Sequence, residues 1–280
     1  GWGDQRLQTN MESLELTFDF IEGTPVRDIK SLTKLWQINS VVYNKDMDSK
    51  IPEKEFSLIG DEKTARLKII HTGHGFGGND DNCSEFCKRK AYVMVNKDTL
   101  SQKYIWRECG DVPLFPQGGT WLLDRTNWCP GFEVEYHDYE LTSKLKSGTN
   151  QIDYGMDFYD KTYTPNGTPN WVITGWLIKY GDFNFQNDAS MIDIITPSND
   201  SLHKRYNPAS FNSIIKFRNT GKNEISSVKF EYGFVGMDKH TYTWNGTLPC
   251  LADTVITIPF DDYVFLDKDT EFNIFIKEVN

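Results

Sequence analysis

No apolar run in this chain approaches the roughly 18 residues that a membrane-spanning helix requires, so no membrane span is expected. Positive charge is also short. Lys and Arg number 30 against 40 Asp and Glu, a net charge of −10. Non-specific nucleic-acid binding and adhesion to anionic membranes both need clustered Lys and Arg, so neither partner is expected. Helical spacing with caps is nearly absent, which excludes strands alternating with helices on a parallel sheet. Neither a G-x-S-x-G elbow nor a Walker loop occurs. No signal peptide is visible. The chain opens on "GWGDQRL" without a Met, and an upstream segment is therefore expected to have been removed.

Aromatic residues, by contrast, are plentiful. The chain has eight Trp, which suits a β-rich core and also suits a surface that binds carbohydrate or peptide. Alternating apolar and polar residues predict strands at "SLELTFDFI" (13–21), "ARLKIIHT" (65–72), "AYVMVN" (91–96), "QKYIWREC" (102–109), "QIDYGMDFY" (151–159) and "WVITGWLIKY" (171–180). Turn-forming clusters such as "GFGGNDDN" (75–82) and "TPNGTPN" (164–170) separate them. The expected fold is an all-β antiparallel jelly roll over 1–194. The polar stretch "TPSNDSLHKRYNPAS" (196–210) reads as a domain edge. Five further strand patterns follow it, and predict a smaller immunoglobulin-like sandwich over 195–280. The phrases "NTGKNEISSVKFEY" and "GTLPCLADTVITIPF" resemble adhesion-type sandwiches appended to exported bacterial proteins. Because the chain stops directly after a strand, this sandwich is expected to be short of its last strand or two.

Two chemistries are open for the five cysteines. Cys83, Cys87, Cys109 and Cys129 could bind zinc, although C-x3-C followed by two lone Cys is not the paired C-x2-C pattern of structural sites. Alternatively, Cys83–Cys87 and Cys109–Cys129 are disulfides of an exported protein and Cys250 is a buried thiol. Spacing weighs toward the disulfides. His71 and His74 form an H-x2-H pattern that could be half of a metal site, but His137, His203 and His240 supply no convergent third ligand. No metal and no other cofactor is expected. If the cysteines are paired, Cys–His nucleophilic catalysis is not expected. A positioning or acid–base carboxylate remains, and Glu85, with a cysteine on each side, is the candidate.

Three segments change the odds: "HTGHGFGGNDDNCSEFC" (71–87), "YIWRECGDVP" (104–113) and "LLDRTNWCPGFEV" (122–134). Together they resemble the C-terminal domain of the peptide:N-glycosidase F (PNGase F) family. That family has a Gly-rich loop, a C-x-E-aromatic-C bracket, a lone Cys and a D-R-x-x-W-C-P-G segment in this order. The pattern runs over about 13–180. The first ~22 residues resemble the strand that closes the family's other, N-terminal jelly roll. The resemblance implies two side-by-side antiparallel jelly rolls, related in fold to copper-dependent peptide hydroxylases. It implies metal-free hydrolysis of the amide between an N-glycan and asparagine. It implies the same two disulfides. It places Glu85 on a catalytic acid, Arg125 and Trp128 on residues lining the sugar site with Asp124 beside them, and His74 on a cleft position that is aromatic in the founding enzyme; Glu85 and Arg125, which could supply polarisation and a charge-assisted hydrogen bond, are the expected catalytic residues. Phe86, next to Glu85, joins the substrate-binding set.

The departures are as informative. The family's main catalytic aspartate lies in a W-D-R stretch of its first jelly roll, and no such stretch occurs here. A second family acid falls on Gln5, with Asp4 adjacent. The expected function is therefore glycan–asparagine amide hydrolysis when a catalytic N-terminal half is present, with little or no activity from this chain alone. The alternative is a non-catalytic module that binds an N-glycan or glycopeptide. A copper hydroxylase ranks third, since the His and Met clusters are missing. The expected location is outside the cytoplasm of a bacterium: periplasmic, cell-surface or secreted.

Overall fold

A computed structural model describes residues 17–20, 22–75, 84–112, 119–157, 168–200, 202–203, 212–259 and 270–280. Its regular elements are antiparallel strands and short 3-10 turns, so the expected all-β class holds. The chain divides into two compact units, the break falling between Gly181 and Asp182, with Pro25–Asp28 grouped in the second.

The first unit contains β1 (Arg27–Val42), β2 (Lys54–Ser57), β3 (Thr64–His74), β4 (Arg89–Val95), β5 (Asp98–Ile105), β6 (His137–Glu140), β7 (Thr149–Met156) and β8 (Asn170–Phe183). They form two four-stranded sheets, ordered β1-β8-β3-β6 and β2-β7-β4-β5. Period-2 alternation explains why. In β3, Ala65, Leu67, Ile69 and His71 are buried, while Arg66, Lys68 and Ile70 are half-buried on the other face. The inward residues meet Val93, Val95, Ile152 and Tyr154 of the facing sheet in one core. Each aliphatic side chain so buried contributes about 1.5–3 kcal/mol. β8 runs beside β3 with Leu67 opposite Leu177 and Ile69 opposite Gly175. Gly175 is there for space, since a Cβ would lie 2.7 Å from the Trp36 ring. The β4–β5 hairpin turns on Asn96 and Lys97, both left-handed (φ 52° and 71°) between paired Val95 and Asp98. That is a type I′ turn, whose twist matches the strands.

The second unit holds β9 (Ala189–Thr196), β10 (Ser213–Asn219), β11 (Ile225–Phe234), β12 (His240–Leu248), β13 (Asp253–Ile258) and β14 (Phe272–Val279). Two three-stranded sheets, β13-β10-β9 and β12-β11-β14, enclose Ile215, Phe217, Val228, Phe230 and Ile274. Because β9 pairs with β10, the polar stretch read as a domain edge begins only where β9 ends. Of the strand read at 13–21, the described part Thr17–Phe20 pairs with nothing as a strand, and Phe18 and Phe20 are exposed.

Candidate functional site

Three segments of the first unit meet at the end of β3: Thr72–Gly75, Ser84–Cys87 and Thr120–Cys129. Main-chain bonds join them. Glu85 N–H donates to Gly75 O (3.1 Å), Thr126 N–H donates to Glu85 O (2.9 Å), and Gly73 N–H donates to Thr126 O (3.2 Å). Thr126 Oγ1 donates to the carbonyls of Glu85 and Cys87. The Cys109–Cys129 disulfide, expected from the sequence, ties the third segment back to the end of the Trp106–Cys109 run. Arg107 and Arg125 form an isolated antiparallel bridge beside it. Cys83 and the loop before it lie outside the described residues, and with them the expected Cys83–Cys87 bridge. Cys250 is half-buried in the turn between β12 and β13.

The carboxylate of Glu85 is gripped at both oxygens. Arg125 Nε donates to Oε1 at 3.2 Å, and the Gly75 amide donates to Oε2 at 3.0 Å. Gly75 can do this because its φ is +70°, and a Cβ there would meet Thr168 O at 2.6 Å. The Glu85 side chain stays 16% exposed while Arg125 is only 2% exposed. Arg125 has five N–H donors. Besides Glu85, they reach Leu123 O (2.8 Å), Thr120 O (2.8 Å) and Thr120 Oγ1 (2.9 Å). Its guanidinium carbon lies 5.0 Å over the Phe86 ring and 4.9 Å over Trp128. Such cation–π contacts in a desolvated setting contribute about 1–2 kcal/mol each.

Trp128 donates its indole N–H to Gly73 O (2.8 Å) and stacks on His74, ring centroids 5.2 Å apart and planes inclined 29°. His74 also hydrogen-bonds Thr72 Oγ1 at 2.7 Å. Burial holds the His74 imidazole below its ordinary pKa, and the Glu85 charge opposes that shift. Thus Glu85, Phe86, Arg125, Trp128 and His74 come together. Asp124 does not join them, because its carboxylate accepts from the Cys109 amide (3.1 Å) and so caps the disulfide turn.

His71 and His74 do not make a half-site, since an offset of three on a strand points them to opposite faces. His71 is buried, contacting Tyr154 Oη (2.5 Å) and His137 Nδ1 (3.1 Å). Sequence reasoning missed that triad. It also missed Asn127, which is left-handed (φ 65°) and donates to the carbonyls of His71 (3.0 Å) and Glu135 (2.8 Å). Asn tolerates this conformation, so its place between Arg125 and Trp128 was a usable signal.

Replacing Arg125 by Lys should lower stability by about 2 kcal/mol, because one ammonium cannot serve Glu85, Leu123 O and Thr120 together. Urea unfolding measures it, and a neutral result would show that the guanidinium network is slack.

A two-sheeted antiparallel jelly roll with an arginine–glutamate pair fixed at its strand ends defines the class. Residues 42–178 match the family model for Peptide-N-glycosidase F, C terminal. This stretch of the chain belongs to that family. A crystal structure of a peptide-N(4)-(N-acetyl-beta-D-glucosaminyl) asparagine amidase is similar in fold, with a TM-score of 0.51 and 24% identity. The similarity covers 57% of this chain and 55% of that one. PNGase F, a glycosylasparaginase from Flavobacterium meningosepticum, gives 0.49 and 22% over 57% and 55% of the two chains. PNGF-II gives 0.43 and 22% over 57% and 31%. The matched region is thus about half the length of the first of these chains. No curated protein matches the sequence.

Proposed function

We propose that the first unit handles the glycan of an N-glycosylated peptide, as the C-terminal jelly roll of a PNGase F-type glycan–asparagine amidase. The observation that supports this best is the convergence of Glu85, Arg125 and Trp128, with His74 stacked on the indole. Amide hydrolysis needs a base for water, a donor for the oxyanion and a proton for the leaving nitrogen. On this reading Glu85 is the polar group that reaches substrate, Arg125 is a positioning residue acting through it, and Trp128 with His74 offers a flat surface to a sugar ring. The other acid groups of such a reaction would come from outside the described residues, from a partner jelly roll. We infer export, as the Cys109–Cys129 disulfide fits an oxidising compartment.

A binding module without hydrolysis is the second reading. It is favoured by Glu85 itself, whose two oxygens each already accept a hydrogen bond. Titrating a chitobiosyl-asparagine peptide into the 280-residue chain tests the shared core. Trp128→Ala should weaken binding about tenfold or more, the scale of one lost aromatic contact with its desolvation. Unchanged affinity would sink both readings. Release of free glycan by the chain alone, abolished in Glu85→Gln, would decide for hydrolysis without a partner.

A further inference from the structure

Away from Glu85, the first unit carries a shallow, open cleft of about 500 Å³, lined by Lys88, Tyr104, Trp106, Arg107, Glu108 and Asp111. Its volume would hold a single sugar ring lying on the surface. Tyr104, near the end of β5, is 53% exposed. The ammonium groups of Lys88 and Lys90 sit 5.3 Å and 5.0 Å over it. Trp106 follows two residues later and is half-buried. The Tyr104 hydroxyl, the Trp106 indole N–H, the Lys88 ammonium and the Glu108 carboxylate are the polar groups that these lining residues bring. On one side the wall is made of long lysine side chains, Lys88 and Lys90, that lie over the Tyr104 ring. It is fixed on the other, where Arg107 donates to Glu133 O (2.8 Å) and lies 4.4 Å over Phe132.

We propose that this cleft is a second carbohydrate subsite, taking one neutral pyranose ring against Tyr104 and Trp106. Charge selects the class. Two lining cations, Lys88 and Arg107, face two lining acids, Glu108 and Asp111, and Lys90 adds a third cation at the Tyr104 ring. An anionic group would face the acids, and an amine would face Lys88 and Arg107. A neutral ring avoids both conflicts. Its C–H face covers an aromatic surface, and its hydroxyls need donors and acceptors, which Lys88 and Glu108 of the lining supply. The cleft is joined to the Glu85 site by one residue pair, since Arg107 N–H donates to Arg125 O (2.8 Å) and Arg125 N–H to Arg107 O (3.0 Å). A branched glycan held by its core at Trp128 would thus have an outer sugar site on the neighbouring strand end. The subsite rests on the glycan reading above for its physiological ligand, though not for its chemistry.

Calorimetric titration with two probes tests it: chitobiose, which reads the Trp128 site, and a released neutral high-mannose oligosaccharide, which reads both. Trp106→Ala should weaken the oligosaccharide about tenfold and leave chitobiose unchanged, while Trp106→Phe should restore most of the loss. Tyr104→Ala, at an exposed position, is a second variant that leaves the core intact and should act in the same direction. Oligosaccharide affinity untouched by both alanine variants overturns the subsite. Tighter binding of a sialylated oligosaccharide overturns its neutral class. If the oligosaccharide binds through Trp106 and chitobiose does not bind at all, the subsite stands and the reading of the Glu85 site fails. Wild-type chain that binds neither probe overturns both.

Discussion

Lowering the pH from 6.5 to about 5 is expected to remove about 3 kcal/mol of stability from the first unit, before most carboxylates titrate. The cause is the buried cluster of His71, His137 and Tyr154. His71, on β3, is fully buried and reaches both of the others. Its ring meets His137 nearly edge-on, centroids 4.5 Å apart. Burial pushes the His71 pKa far below its usual value, and repulsion from His137 and Lys103 adds to it. Burial, then Lys103, pushes His137 down to about 4. Tyr139 and Tyr154, which pack against the pair, are driven upward by burial and stay neutral throughout. In the unfolded chain both histidines titrate near 6.5. Between about 4 and 6.5 the unfolded state therefore binds more protons, and stability rises with pH across that window. Their contribution is fully present above 6.5 and is lost as pH falls through the folded values. Glu62 does not blur this window. Burial pushes its pKa up, but hydrogen bonds from Lys179, the Ile59 amide and Ser31 bring it below the ordinary carboxylate value. Urea unfolding followed by Trp fluorescence at pH 7, 5.5 and 4.5 measures the slope. His137→Gln should reduce it by about one proton. A flat profile over that range would mean that the histidines are protonated in the folded chain.

Most strands were legible because one face of each is buried. Ala65, Leu67 and Ile69 alternate with Arg66 and Lys68, and the period alone gives the element. The longest strand, Arg27–Val42, was not legible. Much of it is exposed on both faces, so no alternation is written into it. At the site, Glu85 stood out between its two cysteines, Arg125 and Trp128 came from the family resemblance of the D-R-x-x-W-C segment, and the three do meet. What the spacing could not say is which of them would be reachable. Arg125 is sealed by Leu123 O and Thr120, neighbours that carry no motif. Asp124 looked like a site residue only by adjacency, and its carboxylate turns away to the Cys109 amide. The His71 triad joins residues 66 and 83 positions apart, and no local pattern marks either contact. His71 and His74 read as one motif because sequence shows spacing before it shows which face of a strand each residue takes.

Gly73→Ala is expected to destabilise the first unit by about 3 kcal/mol or more, at the upper end for overpacking, and to dislodge Glu85. In the sequence, Gly73 falls between the strand read over 65–72 and the turn read over 75–82. In the structure it lies inside β3, paired opposite Trp171, and its lack of a side chain serves a close approach. A Cβ there would come within 1.9 Å of the Ser84 carbonyl oxygen, 2.7 Å of its carbon and 3.1 Å of Thr126 Cβ. The first two are backbone atoms, so no rotamer change relieves the clash. The Ser84–Cys87 segment would have to lift from the strand. Lifting it breaks the Glu85 N–H bond to Gly75 O and the Thr126 N–H bond to Glu85 O. It also draws the carboxylate away from Arg125, leaving a nearly buried guanidinium short of its anionic partner. Gly110→Ala is the control, because a Cβ there meets nothing within 4 Å. Thermal unfolding reads the loss of stability, and the backbone amide resonances of Ser84, Glu85 and Thr126 read the displacement. If Gly73→Ala matches Gly110→Ala in stability and leaves those resonances in place, the segment is not seated on β3 as described, and the grip on Glu85 must come from elsewhere. If stability falls while glycopeptide binding persists, Glu85 is dispensable for recognition, and Trp128 with His74 carries the contact.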